Sequence, residues 1–332
     1  MLSTNEIYAL SLMPNIGPKT LIKIIRANIS IELLAQMTDK SSDLIFKGVK
    51  SASILSHVKN NIEEFQLKAD YNIEQFKAKG VGLISIVDDH YPEQLKLIND
   101  PPPLLFYRGN LNLLSNSNAI AVVGTRNCSK FGFNIATQIS SYFALKDYVI
   151  VSGLALGIDT AAHLGSLKTK DKAIAVVVDV FEISPKENMK LSNLILENGG
   201  LLIAENPPHT YISKGAFVDR NRIQTGLSLA TFVIESEING GTMHTAEFAF
   251  TQGRLLFCPD YSNLNNQDIG LSTGGIDVLL KTGKALSFNN SNFKSIINTI
   301  EAKRKVIEAA KQNLEKPTKA GSSTGTVLKF EF

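Results

Sequence analysis

Between residues 81 and 260 the chain keeps returning to one alternation: a short apolar run, then a stretch with apolar residues three and four apart. The runs are VGLISIV, AIAVVG, YVIVSG, AIAVVVDV, LLIAEN, TFVIES and RLLFCPD. A run this short with no polar alternation is a strand buried on both faces, because a half-solvated strand would alternate. FGFNIATQISSYFAL, DTAAHLGSL, KENMKLSNLILENG, RNRIQTGLSLA and GTMHTAEFAFTQG carry helical spacing between them. Strands joined through helices run parallel, with helices covering both faces of the sheet. The expected fold class is therefore α/β, with a doubly wound parallel sheet.

The flanks read differently. Residues 5–12, 18–28, 30–37, 42–47 and 50–70 each show helical apolar spacing, which predicts a small all-helical N-terminal domain over residues 1–70. Within it, Ile16-Gly17-Pro18-Lys19 predicts a turn in which Gly17 bends the chain, Pro18 opens the next helix and Lys19 stands exposed at its start. The turn resembles a helix-hairpin-helix unit, whose amides and lysine approach a phosphate, and it reads equally as an ordinary turn of a small bundle. A poorer second copy runs from Phe46 to Lys50. The α/β region is expected over residues 71–285, with the proline-rich YPEQLKLINDPPPLLFYRGN wrapping the sheet edge. Residues 286–332 predict one charged amphipathic helix and a flexible polar tail.

Composition narrows the function classes. With 332 residues, 44% of them hydrophobic, the chain can bury a sizeable core in more than one unit. No run approaches the ~20 apolar residues of a membrane span. The first residues lack the basic start and long apolar stretch of a signal peptide. Cys128 and Cys258 cannot make a disulfide framework, so a cytoplasmic protein without a membrane partner is expected. A net charge of +3 permits a nucleic-acid partner without arguing for one. The histidines are scattered, and no Ser–His–Asp order, paired carboxylates or metal-ligand spacing emerges. No catalytic residue, metal or cofactor is expected.

In such sheets ligands bind beyond the carboxyl ends of the strands, so the strand-to-helix loops carry the candidates. The loop after AIAVV holds Gly124, Thr125, Arg126 and Ser129: a turn, a forked cation and two hydroxyls ahead of a helix start, all suited to phosphate. It lacks the three spaced glycines of the dinucleotide fingerprint, so NAD is not expected. After YVIV, Ser152 to Gly157 passes close to a ligand, Asp159 or Thr160 caps the next helix, and His163 reads as a packed structural residue. Lys214, Phe217, Arg220 and Arg222 form the strongest cluster, since cations neutralise phosphates and an aromatic face stacks on an unpaired base. Arg220 and Arg222 are two apart and must point to different sides, one of them towards an acid inside the protein. After TFVIE, Gly240 and Gly241 expose amides at a helix start, and Glu247 follows as a lone acid that suits a base, a sugar-hydroxyl acceptor or a structural cap.

Taken in order, YPEQLKLINDPPPLLFYRG, GTRNCSKFG, VSGLALGIDTAAH, FVDRNRIQTGLS and GGTMHTAEFAFTQGR resemble the DNA-processing protein A (DprA, or Smf) family over about residues 80–260. The resemblance implies an extended Rossmann-like fold, single-stranded DNA binding without sequence preference, a homodimer, and loading of a RecA-type recombinase during DNA uptake. It places Arg126 in the family's phosphate loop, Lys214 and Phe217 in its DNA pocket, and Arg220 and Arg222 on its R-N-R. The chain departs at Leu156, where the family has an arginine, and at Val177 and Asp179, near family glycines. A family-like C-terminal winged-helix domain is not visible after residue 285. A competing reading rests on Gly240-Gly241, Glu247 and Arg220-Asn221, which are similar to the lysine decarboxylase-like phosphoribohydrolases, although Met243 and His244 replace their glycine and threonine. A third is a signalling-nucleotide sensor using the same pocket.

Overall fold

A computed structural model of the chain describes residues 2–37, 51–169, 172–262, 270–289 and 291–315. Four helices lead: α1 (Thr4–Ser11), α2 (Pro18–Arg26), α3 (Ile31–Gln36) and α4 (Ser51–Ala78). Ser3 and Glu6 close α1 with a reciprocal capping box. Pro18 is the first residue of α2, Gly17 is its N-cap, Ile16 is buried and Lys19 is exposed. The helix expected over 42–47 and the turn from Phe46 to Lys50 lie outside the described residues. The last leading helix, α4, runs on to Ala78, past residue 70.

One nine-stranded sheet follows: β1 (Gly82–Ser85), β2 (Leu104–Gly109), β3 (Ala119–Val123), β4 (Val149–Ser152), β5 (Ala173–Val176), β6 (Leu201–Ala204), β7 (Ala230–Val233), β8 (Leu255–Pro259) and β9 (Leu286–Phe288). Its order is β1-β2-β6-β5-β4-β3-β7-β8-β9. From β6 to β9 every pairing is parallel, as the alternation requires.

The sheet is nevertheless mixed. The run LLFYRG, read as irregular edge chain, is the strand β2, antiparallel to both β1 and β6. Between β1 and β2 the chain returns with only the one-turn helix α5 (Glu93–Lys96), so no crossover helix forces the pair parallel. The three prolines before β2 hid it, because proline argues against a strand. Strand β9 also lies beyond residue 285, and extends the sheet at its far edge.

Along β3 the side chains alternate between faces. Ile120 and Val122 pack with Ile139 and Phe143 of α6 (Lys130–Leu145) and Ala161 of α7 (Ile158–Leu167). Ile296 and Ile300 of α13 (Phe293–Glu315) join the same layer. On the other face Ala119 packs with Leu95, Ile223 and Leu227. The leading helices share one core with the sheet, reaching Phe106, Leu202 and Ala204. Tyr8 and Phe76 meet Phe106 edge-on, with ring centroids 5.7 and 5.6 Å away.

Candidate nucleic-acid interface

The chain winds one way from β3 through β4 and β5 to β6, and the other way from β7 to β8. The switch lies between β3 and β7, where the loops leaving the two strands diverge and open a crevice. A cavity of about 390 Å³ occupies it. Gly124, Thr125 and Arg126 line it from β3, Ala155 and Asp159 from β4, and Glu237, Gly240 and Gly241 from β7. Phe217 of α9 (Ala216–Asp219), Arg220, and Asn221 and Gln224 of α10 (Asn221–Gly226) close it.

The Gly124–Ser129 loop is built from beneath. Glu235, fully buried at the end of β7, accepts from the Ser129 hydroxyl at 2.6 Å and from its amide at 3.1 and 3.3 Å. Its backbone carbonyl accepts from the Thr125 amide at 2.9 Å. Ser129 also caps α6 by accepting from the Gly132 amide, so its hydroxyl is spent inside the protein. Gly157 closes the same loop from the side with φ of 74°, and a Cβ there would fall 2.4 Å from the Thr125 carbonyl oxygen. The result is a fixed loop that leaves Arg126 exposed, with no acidic partner among the described residues.

Beneath the crevice floor Arg220 is buried, 8% exposed. It donates to the carbonyl of Val176 at 2.7 Å and of Gly153 at 2.8 Å, fastening the ends of β5 and β4 together. Its Nε has no partner among the described residues. Burial lowers its pKa to about 10, so it stays charged at neutral pH. Burial raises the pKa of Asp159, which accepts from the amides of Gly153 and Ala155. The Arg220 charge opposes that rise. His163, one turn into α7, is wholly buried, and both ring nitrogens lack partners among the described residues.

Seven of the residues that the sequence offered as DNA contacts therefore meet here: Gly124, Thr125, Arg126, Phe217, Arg220, Gly240 and Gly241. Ser129 serves the loop from behind, and Lys214 stands exposed on the approach to α9. Arg222 faces elsewhere, since residues two apart on a helix point about 200° apart. Its guanidinium binds Asp100 at 3.0 Å and Glu205 at 2.8 Å, and donates to the Asp219 carbonyl. It thus lines a separate cavity of about 980 Å³ beside α2. Glu247, on the second turn of α11 (Gly241–Thr251), is also outside the crevice and pairs with Lys284 at 2.6 Å. Glu247, the acid of the phosphoribohydrolase reading, is thus not among the residues that line the crevice. Asn221, named only for the phosphoribohydrolase reading, also lines the crevice, and Gln224, Glu237, Thr242 and Thr245 do so without having been singled out. They are common polar residues whose convergence depends on strand order.

A Rossmann-like sheet whose switch point presents an exposed arginine, glycine-rich helix starts and a half-buried aromatic ring has chemistry suited to ligands that carry both phosphate and base. Residues 82–301 match the family described as DNA recombination-mediator protein A, and the chain belongs to that family. The DNA processing protein DprA of Bacillus subtilis (strain 168) is 35% identical over 243 residues, 73% of this chain and 79% of that protein. The DprA of Streptococcus pneumoniae (strain R6) is 42% identical over 193 residues, 57% of this chain and 65% of that protein. The solved structure of S. pneumoniae DprA aligns with a TM-score of 0.71 at 30% identity, covering 86% of this chain and 95% of that one. A Helicobacter pylori DprA structure, titled for its single-stranded DNA binding mode, aligns with a TM-score of 0.57 at 26% identity. That alignment covers 66% of this chain and 96% of the other.

Proposed function

We propose that the switch-point crevice binds single-stranded DNA and that the chain acts as a DprA-type processing protein in DNA uptake and recombination. The observation that carries this reading is the pairing of Arg126 with Phe217 across one cavity. Arg126 has no acid to neutralise it, and the half-buried Phe217 has no aromatic neighbour among the described residues. A phosphate and an unpaired base one step along the same strand satisfy both, whatever the base. Gly124, Thr125, Gly240 and Gly241 serve the backbone, Lys214 guards the approach, and Arg220 sets the floor. Binding without turnover fits the displacement of Glu247 from the cavity.

On this reading the chain works in the cytoplasm, shields incoming strands and passes them to a RecA-type recombinase. It does so as a homodimer, in which two linked crevices raise the effective concentration along one strand. A groove of about 680 Å³ that joins Phe131, Ile135, Tyr142, Tyr261 and Phe293 with the polar Asn134, Gln138, Asp260 and Asn289 is the candidate surface for self-association. Fluorescence anisotropy with single- and double-stranded oligonucleotides tests the central step. Single strands are expected to bind more tightly, and Phe217→Ala to cost about 1–3 kcal/mol of that affinity without lowering Tm. Equal affinity for both forms, or strong competition by a mononucleotide, would overturn the reading.

A further inference from the structure

The loop between β6 and α9 carries the most exposed large hydrophobic side chain among the described residues, Tyr211, at 94%. Its ring meets no other aromatic ring among the described residues, yet the loop beneath it is firmly tied. Asp179, 1% exposed, accepts from the His209 amide at 2.7 Å. The other oxygen of Asp179 accepts from the amides of Phe181 and Glu182 at 2.7 and 3.1 Å. One buried carboxylate therefore joins the loops that leave β5 and β6. The His209 ring lies parallel to Phe181, with centroids 5.3 Å apart and planes 10° apart. Behind that stack the Arg108 guanidinium sits 4.8 Å from the Phe181 centroid, and Glu182 lies 3.5 Å from His209 Nδ1. At the far end the Ala216 amide donates to the Ser213 carbonyl at 3.1 Å, holding the loop where α9 begins. Between the two anchors stand Tyr211 and Lys214, both exposed.

An aromatic face held in water beside a free lysine, on a loop fixed at both ends, has the chemistry of a stacking platform for unpaired bases. Tyr211 and Phe217 are six positions apart, so the chain's own reach keeps their Cα atoms within about 22 Å of each other. We propose that residues 209–214 form a second stacking station for single-stranded nucleic acid. Tyr211, flanked by the His209–Phe181 stack, receives bases that leave the crevice past Phe217, and Lys214 neutralises a phosphate between them. The proposal rests on the crevice being a DNA site, and it extends the path of the strand across the ends of β6 and β5.

The chain contains no tryptophan, so Tyr211→Trp supplies a single fluorophore at the station. Strands of about 16 and about 4 nucleotides, near the limits for one small binding fold, separate the long path from the crevice alone. The long strand is expected to quench the tryptophan, and the short one to leave it unchanged. Tyr211→Ala is expected to weaken the long strand between about five- and 150-fold, with Tm and the salt dependence of binding unaltered, because stacking releases no counterion. Tyr211→Phe should restore affinity, and an abasic strand of the same length should bind wild type and Tyr211→Ala alike. Unchanged emission while anisotropy reports a bound long strand overturns the station, as does Tyr211→Ala binding like wild type. If Arg126→Ala weakens both strands while the Tyr211 variants are neutral, the station fails and the crevice stands. If the unsubstituted protein binds neither strand, both fail.

Discussion

His163 shows how far burial alone can move a single group. Burial lowers its pKa to about 3, and the nearby Arg220 charge pushes the same way. In the unfolded chain the imidazole takes a proton below about pH 6.5. Between those two values the unfolded state binds more protons, so stability falls as pH falls through the window. Asp159, whose pKa burial raises, acts in the opposite sense, but equally in any variant that keeps it. Between pH 7 and pH 5, wild type is therefore expected to lose about 2 kcal/mol more stability than His163→Leu. Urea unfolding at the two pH values checks this, and identical pH dependence would show that His163 is not held neutral. The sequence reading of His163 as a packed residue and the structure agree on its place. What its position in the chain did not show was that neither ring nitrogen finds a hydrogen-bond partner among the described residues, which depends on packing formed only in the fold. The same limit separates Arg220 from Arg222. Spacing says that they diverge, but only the folded positions of Glu205 and Asp100 say which one is neutralised.

At the level of elements, the floor of the crevice depends on how closely the β4 loop approaches α10. Gly153 leaves room for the Arg220 guanidinium, and a Cβ at that position would sit 1.7 Å from its Nη1. Gly153→Ala is therefore expected to displace Arg220 from the carbonyls of Val176 and Gly153. The loss of two charge-assisted hydrogen bonds in a buried site should lower stability by about 2–4 kcal/mol. Single-strand affinity should fall as well, because the floor under Phe217 moves. Chemical denaturation and anisotropy on one sample measure both, and wild-type values would show that the fold absorbs the methyl elsewhere. The parallel strands were legible because burial on both faces leaves a continuous apolar run. Strand β2 was not, because prolines precede it and the chain enters the sheet without a crossover helix. Strand β9 was not, because three residues show no period. Glu235 escaped for a related reason: its service to the Gly124–Ser129 loop requires β7 to lie beside β3, and strand order is not written in local pattern.

Across the whole molecule, a modest net charge of +3 reveals little, because the chemistry lies in where a few cations are left unpaired. Arg222 and Lys284 are tied to acids within the fold, while Arg126 and Lys214 are left to solvent. Arg220 lines the cavity between those extremes. Composition could not sort these groups, although the ordered loop motifs already placed most of them near one ligand. Arg126 is the group on which binding to the phosphates of a single strand most depends. The most direct test is the salt dependence of single-strand affinity for wild type and Arg126→Ala. Two phosphate contacts, from Arg126 and Lys214, predict a slope of log affinity against log salt of about −1.4, since each contact on a single strand contributes about 0.7. Arg126→Ala is expected to weaken binding alike on mixed and homopolymer strands and to flatten the slope by about 0.7. Unchanged affinity and slope in a folded Arg126→Ala protein would contradict the account at its centre.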